Sequence, residues 1–212
     1  MPHLRAALCF LAAAMTAACN RGPRIDVPAP GARTLAAYGT QRVALVPVGG
    51  ARFDSLGWVS RLGGATVVAR RVDTLIATAL SMRGVGRSWT LPPELVRSYE
   101  RNRNYATHPY QLSVSPLGAN TFVAASAYGE PLSSQLRTMI ALHDDIRVVL
   151  VPVEVRFERV GAGGRAILRT ALLDARLAQA RWVGDLQSDI VSSPEAALES
   201  VAGRFADLFL AP

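Results

Sequence analysis

Apolar and polar positions along the 212-residue chain change period several times. Ala6 to Ala18 is an alanine-rich apolar run, and Asn20 to Gln41 has no period and is broken by Gly22-Pro23, Pro28 and Pro30-Gly31. Arg42 to Val48 is short, β-branched and nearly all apolar, which predicts a strand buried on both faces. Pro47 belongs at its end, since proline has no N–H to give to a ladder. A glycine-rich loop holding Phe53 and Trp58 follows. Val68, Val72, Leu75, Ile76 and Ala79 then recur at helical spacing, predicting a helix over 65–83 with Gly84 as its stop. Residues 85–90 read as a second strand, and Pro92-Pro93-Glu94 opens another helix, with proline allowed in the first turn. Between 103 and 130 the period is lost among His108-Pro109, Pro116-Gly118 and Tyr128-Gly129. Leu132, Leu136, Met139 and Ile140 restore helical spacing up to His143.

The clearest alternation lies in the last third. Val149, Val151, Val153, Val155 and Phe157 are expected on one face of a strand over 147–160, with Glu154, Arg156 and Glu158 on the other. Gly161 to Gly164 is the turn, and Arg165 to Ala175 the return strand. A third strand over 179–190 puts Ala180, Trp182 and Leu186 on one side and Arg181, Asp185, Gln187 and Asp189 on the other. This reads as an antiparallel meander with one solvated face. Ser193-Pro194-Glu195 caps a last helix that turns Leu198, Val201, Phe205 and Leu208 inward. The expected fold is α/β, a single domain over 42–212. Its mixed sheet ends in a C-terminal antiparallel three-strand meander, with helices packed mainly on one face.

The leading apolar run is too short for a spanning helix, which needs about 20 residues. With Arg5 in front and the small residues Thr16-Ala17-Ala18 behind, it suits a signal-peptide core over residues 1–18. Cys19 follows directly. Residues 1–20 resemble the bacterial lipoprotein signal, which implies cleavage before Cys19 and acylation of its thiol by fatty chains such as palmitate. Thr16 departs from that pattern, where Leu, Val or Ile is usual. Asn20 stands where an Asp holds such proteins at the inner membrane, so the resemblance implies the periplasmic face of the outer membrane. An ordinary secreted protein with a free Cys19, or an uncleaved anchor, are the other readings of the same residues. Residues 19–41 then form a lipidated tether, whose 22 residues after the cysteine reach at most roughly 70–80 Å when extended. Cys9 leaves with the signal, so the mature chain has one cysteine and no disulfide. About 170 residues lie beyond the tether, long enough to bury one sizeable core without staples.

All 23 basic residues are arginine, against 16 acids and a net charge of +7. In a cytoplasmic protein that balance invites nucleic acid. An exported chain does not meet nucleic acid, so anionic headgroups or an acidic protein face are the expected partners.

The order of elements, with Val43-Ala-Leu-Val-Pro-Val48 and Leu172-Leu173-Asp174-Ala175-Arg176-Leu177-Ala178-Gln179-Ala180-Arg181-Trp182-Val183-Gly184, resembles a group of bacterial envelope proteins. The group comprises the curli secretion lipoprotein, the lipoprotein activators of penicillin-binding proteins and the amino-terminal domain of TolB. Asp174, Ala175, Arg176, Trp182 and Gly184 match the group's hairpin, whereas its Thr-Gly-Glu turn is replaced by Leu177-Ala178-Gln179. A tight hairpin usually needs a residue at positive φ there. The resemblance implies the fold and leaves activity open. Read physically, Asp174 accepts backbone N–H groups in the turn, and Trp182 covers the sheet.

Catalytic signatures are sparse. His143-Asp144-Asp145 is the one candidate metal cluster, short of the three or four fixed ligands a zinc site takes, and it reads more simply as a polar helix end. Gly161-Ala-Gly-Gly-Arg165 lacks the ending of a phosphate loop and joins two strands. No metal or cofactor is expected. The most suggestive surface is Arg97, Tyr99, Arg101, Arg103 and Tyr105, because Arg and Tyr are enriched in binding interfaces. The expected function is a non-enzymatic, membrane-anchored periplasmic lipoprotein that docks on another envelope protein. Two rivals are an envelope carrier of lipid or glycan, needing an apolar pocket between helices and sheet, and a hydrolase using His143 and Asp144.

Overall fold

In the computed structural model, which describes residues 33–143 and 146–210, the fold opens with α1 (Arg33–Ala36), β1 (Val43–Leu45), β2 (Ala51–Asp54), α2 (Trp58–Arg61), α3 (Ala65–Met82) and α4 (Pro92–Arg101). It continues through α5 (Leu132–Ala141), β3 (Val148–Val160), β4 (Gly163–Asp174), β5 (Gln179–Gln187) and α6 (Pro194–Asp207). The sheet is mixed. β3, β4 and β5 form the antiparallel meander, and β1 and β2 lie in line along the free side of β3, both parallel to it. The signal, Cys19 and the first part of the tether lie outside the described residues. The folded body starts ahead of Arg42: Leu35 is buried in the core, and the Trp89 indole N–H donates to the Tyr38 carbonyl at 3.0 Å.

The strand expected over 85–90 is reduced to one bridge, in which Thr90 exchanges backbone bonds with Val43 and Leu45. The glycine-rich loop after Val48 is more regular than its composition suggests, since it contains β2 and α2.

α3 and α6 pack against each other and against one face of the sheet. Val68, Val72, Ile76, Leu198, Val201 and Phe205 meet Leu150, Val155, Phe157, Leu168, Leu172 and Trp182 there. Those side chains occupy the space in which a carrier would need its pocket. The Ser193 hydroxyl accepts the Ala196 N–H at the start of α6, so the cap forms as its sequence suggests. A second apolar cluster fills much of the opposite face. Val149, Val151, Val153, Ala171 and Leu173 lie beneath Leu95 of α4, Leu132 and Leu136 of α5, and Leu117 and Phe122 of the intervening segment.

The strand faces differ from simple alternation at two bulges. Pro152 pairs with Thr170 and Glu154 with Arg169, so Val153 is an extra residue. Val149, Val151 and Val153 therefore face the second cluster, whereas Val155 and Phe157 face α3 and α6. Arg181 is extra in the same way between Ala180 and Trp182. Ala180 faces the second cluster while Trp182 and Leu186 face the helices. The solvated face expected for the whole meander is confined to its far end, around Glu158, Arg165 and Gln187.

Two charged side chains hold this arrangement. Arg169 is buried, and its guanidinium donates to the carbonyls of Leu117, Ala119 and Phe122 at 2.7–2.9 Å and to Asp185 at 3.2 Å. It thereby ties the segment over 103–130, which folds as short 3-10 turns at Pro109–Gln111 and Ser115–Gly118, onto β4. Asp174 is 1% exposed and accepts from Arg147 at 2.9 Å, from Arg181 at 2.6 Å and from the backbone N–H groups of Arg176 and Leu177. The positive φ required by this hairpin is supplied by Ala178, at 52°.

Candidate functional site

The arginine- and tyrosine-rich stretch predicted as a binding surface forms the end of α4 and the turn after it. Pro92 and Pro93 start the helix, and Leu95 and Ser98 turn inward. That leaves Arg97 and Arg101, four residues apart, on one exposed helix face. Arg103 pairs with Glu100. Among the described residues, Arg97 and Arg101 have no carboxylate in ion-pair reach. Asn102 closes the helix by donating to the Ser98 carbonyl at 2.8 Å. Beyond it Tyr105 stands 81% exposed, an amphipathic ring with nothing covering it. Tyr99 is the exception within the set. It is half-buried and meets His108 edge-on, with ring centres 4.8 Å apart.

From Tyr99 a row of rings crosses to α3. His108 lies 5.8 Å from Tyr110, and its Nδ1 accepts the Tyr110 backbone N–H at 3.2 Å, which caps the short 3-10 turn. The Arg70 guanidinium rests 3.6 Å above the Tyr110 ring. His108 is therefore engaged in holding the loop that carries Tyr110.

Below Tyr110 the edge track of the sheet is interrupted between β1 and β2. The Gly49 N–H donates to the Pro152 carbonyl and the Val155 N–H to the Gly50 carbonyl, both within 3.0 Å, so the backbone stays on β3 without forming a continuous strand. Pro152 has no N–H to return to this side. A hollow of about 340 Å³ opens on one flank, lined by Gly50, Arg52, Ala65, Thr66, Arg70 and Tyr110 among others. A smaller one of about 120 Å³, with Ser113, Ser115 and Glu154, opens on the other. Gly49 is required by crowding: a side-chain carbon there would lie 2.5 Å from both the Val114 methyl and the Val153 carbonyl oxygen. Gly50 is not, since a carbon added to it meets nothing within 4 Å.

Asp73, one turn after Arg70 on α3, sits behind Tyr110. Its Oδ1 accepts the Val48 N–H at 2.8 Å, and its buried Oδ2 has no hydrogen bond of ordinary geometry. Burial pushes its carboxyl up to about 6, against the downward pull of the Val48 N–H, the Tyr110 hydroxyl and the Arg70 charge. Tyr110 is raised in turn, first by its own burial and then by the Asp73 charge.

The remaining sequence candidates are dispersed. Cys19 lies outside the described residues, as do Asp144 and Asp145, so neither the lipidation site nor the His143–Asp144 pair is described. Among the described residues, no three His, Cys, Asp or Glu side chains converge, and no helix is long and apolar enough to cross a membrane. The group around Asp73 was missed by sequence reasoning. Its only local signals are Gly49-Gly50 directly after an apolar strand and the one-turn spacing of Arg70 and Asp73.

No protein-family model matches the chain, and no curated protein matches it. A solved structure, a PelC dodecamer from Paraburkholderia phytofirmans, is similar at 12% sequence identity and a TM-score of 0.32, over 79% of this chain and 86% of that chain.

Proposed function

We propose that this chain is a lipid-anchored component of the bacterial cell envelope. It is non-enzymatic, held by acylated Cys19 at the periplasmic face of the outer membrane, and it docks on another envelope protein. The anchor rests on the leader-like run before Cys19 and the proline- and glycine-broken stretch after it. The docking face rests on one observation: a tyrosine 81% exposed beside two arginines with no carboxylate partner among the described residues. Arg and Tyr concentrate binding energy in interfaces, because each offers a large contact area with polar ends. Without residues 1–18, and so without Arg5, 22 arginines stand against 16 acids, and this net charge of +6 favours an acidic partner face and speeds the encounter.

A photo-crosslinking residue at position 105, compared in intact cells with one at Glu199 on α6, tests the docking face. One discrete product from position 105, absent from position 199 and lost when Arg97 and Arg101 are both changed to Gln, supports the reading. Equal, diffuse labelling from both positions contradicts it.

A further inference from the structure

The larger hollow beside Gly50 has chemistry that the docking face does not use. Gly50 is the first sign of it. Neither packing nor a positive φ calls for glycine at this position, unlike at Gly49, and any side chain would project into open space beside the backbone. The second sign is two guanidiniums on one rim. The Arg52 side chain is 62% exposed and pairs with Glu154 at 3.5 Å through its Nε. Arg70 has no carboxylate within ion-pair reach among the described residues and is laid flat on Tyr110. That stacking fixes the plane of its donor fork, part of which lies against the Tyr110 hydroxyl. The third sign is the beginning of α3 on the same side. Ala65 and Thr66 line the hollow, the helix has no side-chain cap at Gly64, and there is no acid in its first turn. The hollow thus collects hydrogen-bond donors from two arginines and a helix start. Val48, Ala51 and Ala69 add apolar side chains to its lining, and the Asp73 carboxylate lies behind Tyr110.

We propose that this hollow binds an oxyanion, the phosphate or carboxylate end of a small ligand, held in the fork of Arg70 with Arg52 closing over it. Arginine forks match both groups in a two-bond geometry. A volume of about 340 Å³ admits a ligand of one or two small units rather than a long chain. The Gly50 backbone lets the ligand approach the sheet edge closely. This site stands apart from the α4 docking face and survives or falls without it.

The test is calorimetric titration of the full-length protein, kept in a non-ionic detergent, with inorganic phosphate and separately with acetate. Three single variants are compared: Arg70→Gln, Gly50→Val and, beyond the far end of α3 from the hollow, the exposed Arg87→Gln. The expected result is saturable one-to-one binding of at least one anion. It should weaken about tenfold or more in Arg70→Gln and Gly50→Val and stay unchanged in Arg87→Gln, with all three variants melting as cooperatively as the parent. Absence of saturable binding overturns the proposal. So does an equal loss in Arg87→Gln, which would show that the anion senses only overall positive charge. Vesicles of phosphatidylcholine with and without phosphatidylglycerol, bound to the same variants, separate the sources. A parallel loss in Arg70→Gln assigns a lipid headgroup, and undiminished vesicle binding alongside lost phosphate binding assigns a free anion.

Discussion

Two aspartates at opposite corners of the fold have opposite surroundings. Asp174 is almost fully enclosed, and burial alone would raise its carboxyl. Hydrogen bonds from Arg181, the Leu177 N–H, Arg147 and the Arg176 N–H outweigh that and hold it below the ordinary range. Asp73 is only partly enclosed, yet the Val48 N–H, the Tyr110 hydroxyl and the Arg70 charge do not offset its burial, and its carboxyl is pushed up to about 6. A buried charge with four donors is a fastening, because removing any partner leaves the others exposed to an unpaired charge. A carboxylate whose few donors do not offset its burial is a standing cost that the fold tolerates. It sits at the place where the edge track is broken, a hollow opens and two arginines gather. The first corner holds the hairpin shut, and the second is left incomplete by the chain itself.

The largest effect is expected from breaking the satisfied corner. Asp174→Ala strips four donors of their acceptor and should destabilise the fold by about 3 kcal/mol, read from urea unfolding. A loss below about 1 kcal/mol would mean that water replaces the carboxylate and that the corner is not a fastening. Arg169→Met comes next. It releases three carbonyls of the 117–122 segment and should cost about 2–3 kcal/mol, with faster amide exchange concentrated in that segment. Uniform acceleration through the sheet would show that Arg169 supports β4 itself instead.

The open corner should respond in the other direction. Asp73→Asn keeps an acceptor for the Val48 N–H and removes the buried charge, so stability at pH 7.5 should rise by about 1–2 kcal/mol. The sign follows from the raised carboxyl. In the parent protein Asp73 takes up its proton near pH 6 when folded and near its ordinary 3.8 when unfolded, so this group adds stability as pH falls through that window. The advantage of the variant should therefore shrink toward pH 4. Asp174 behaves oppositely: its lowered carboxyl contributes stability above its ordinary value, and that contribution is lost as acid protonates the folded state. An Asp73→Asn variant less stable than the parent at pH 7.5 would contradict the contrast. The smallest effect belongs to Ala178→Gly. Relieving an alanine held at a φ of 52° should add about 0.5–1 kcal/mol to the melting stability, and a loss would mean that the methyl group packs usefully.

How much of this is legible in the sequence depends on whether each element has one buried stripe. α3 and α6 do, so Val68, Val72 and Ile76, and Leu198, Val201 and Phe205, mark their inner faces directly. β3 does not. From Val148 to Phe157 most positions are apolar, and the extra residue at Val153 inverts the faces without leaving any mark in the pattern. The same holds for Arg181, which reads as one more polar position in an alternating strand. Arg169 looks no different from Arg165, although one ends against three backbone carbonyls and the other near solvent. The surface proposed for docking is legible because it is local, being a run of Arg and Tyr at a helix end. The Asp73 corner is not, since Val48, Gly50, Asp73 and Tyr110 come from four separate segments joined only by the fold.

The whole functional account rests on the anchor at Cys19, and mass spectrometry of the natural protein's amino-terminal peptide tests it most directly. The account expects a chain beginning at Cys19 with its thiol and amino group carrying fatty acyl chains. A free thiol at that residue, or a peptide still carrying residues 1–18, would contradict it.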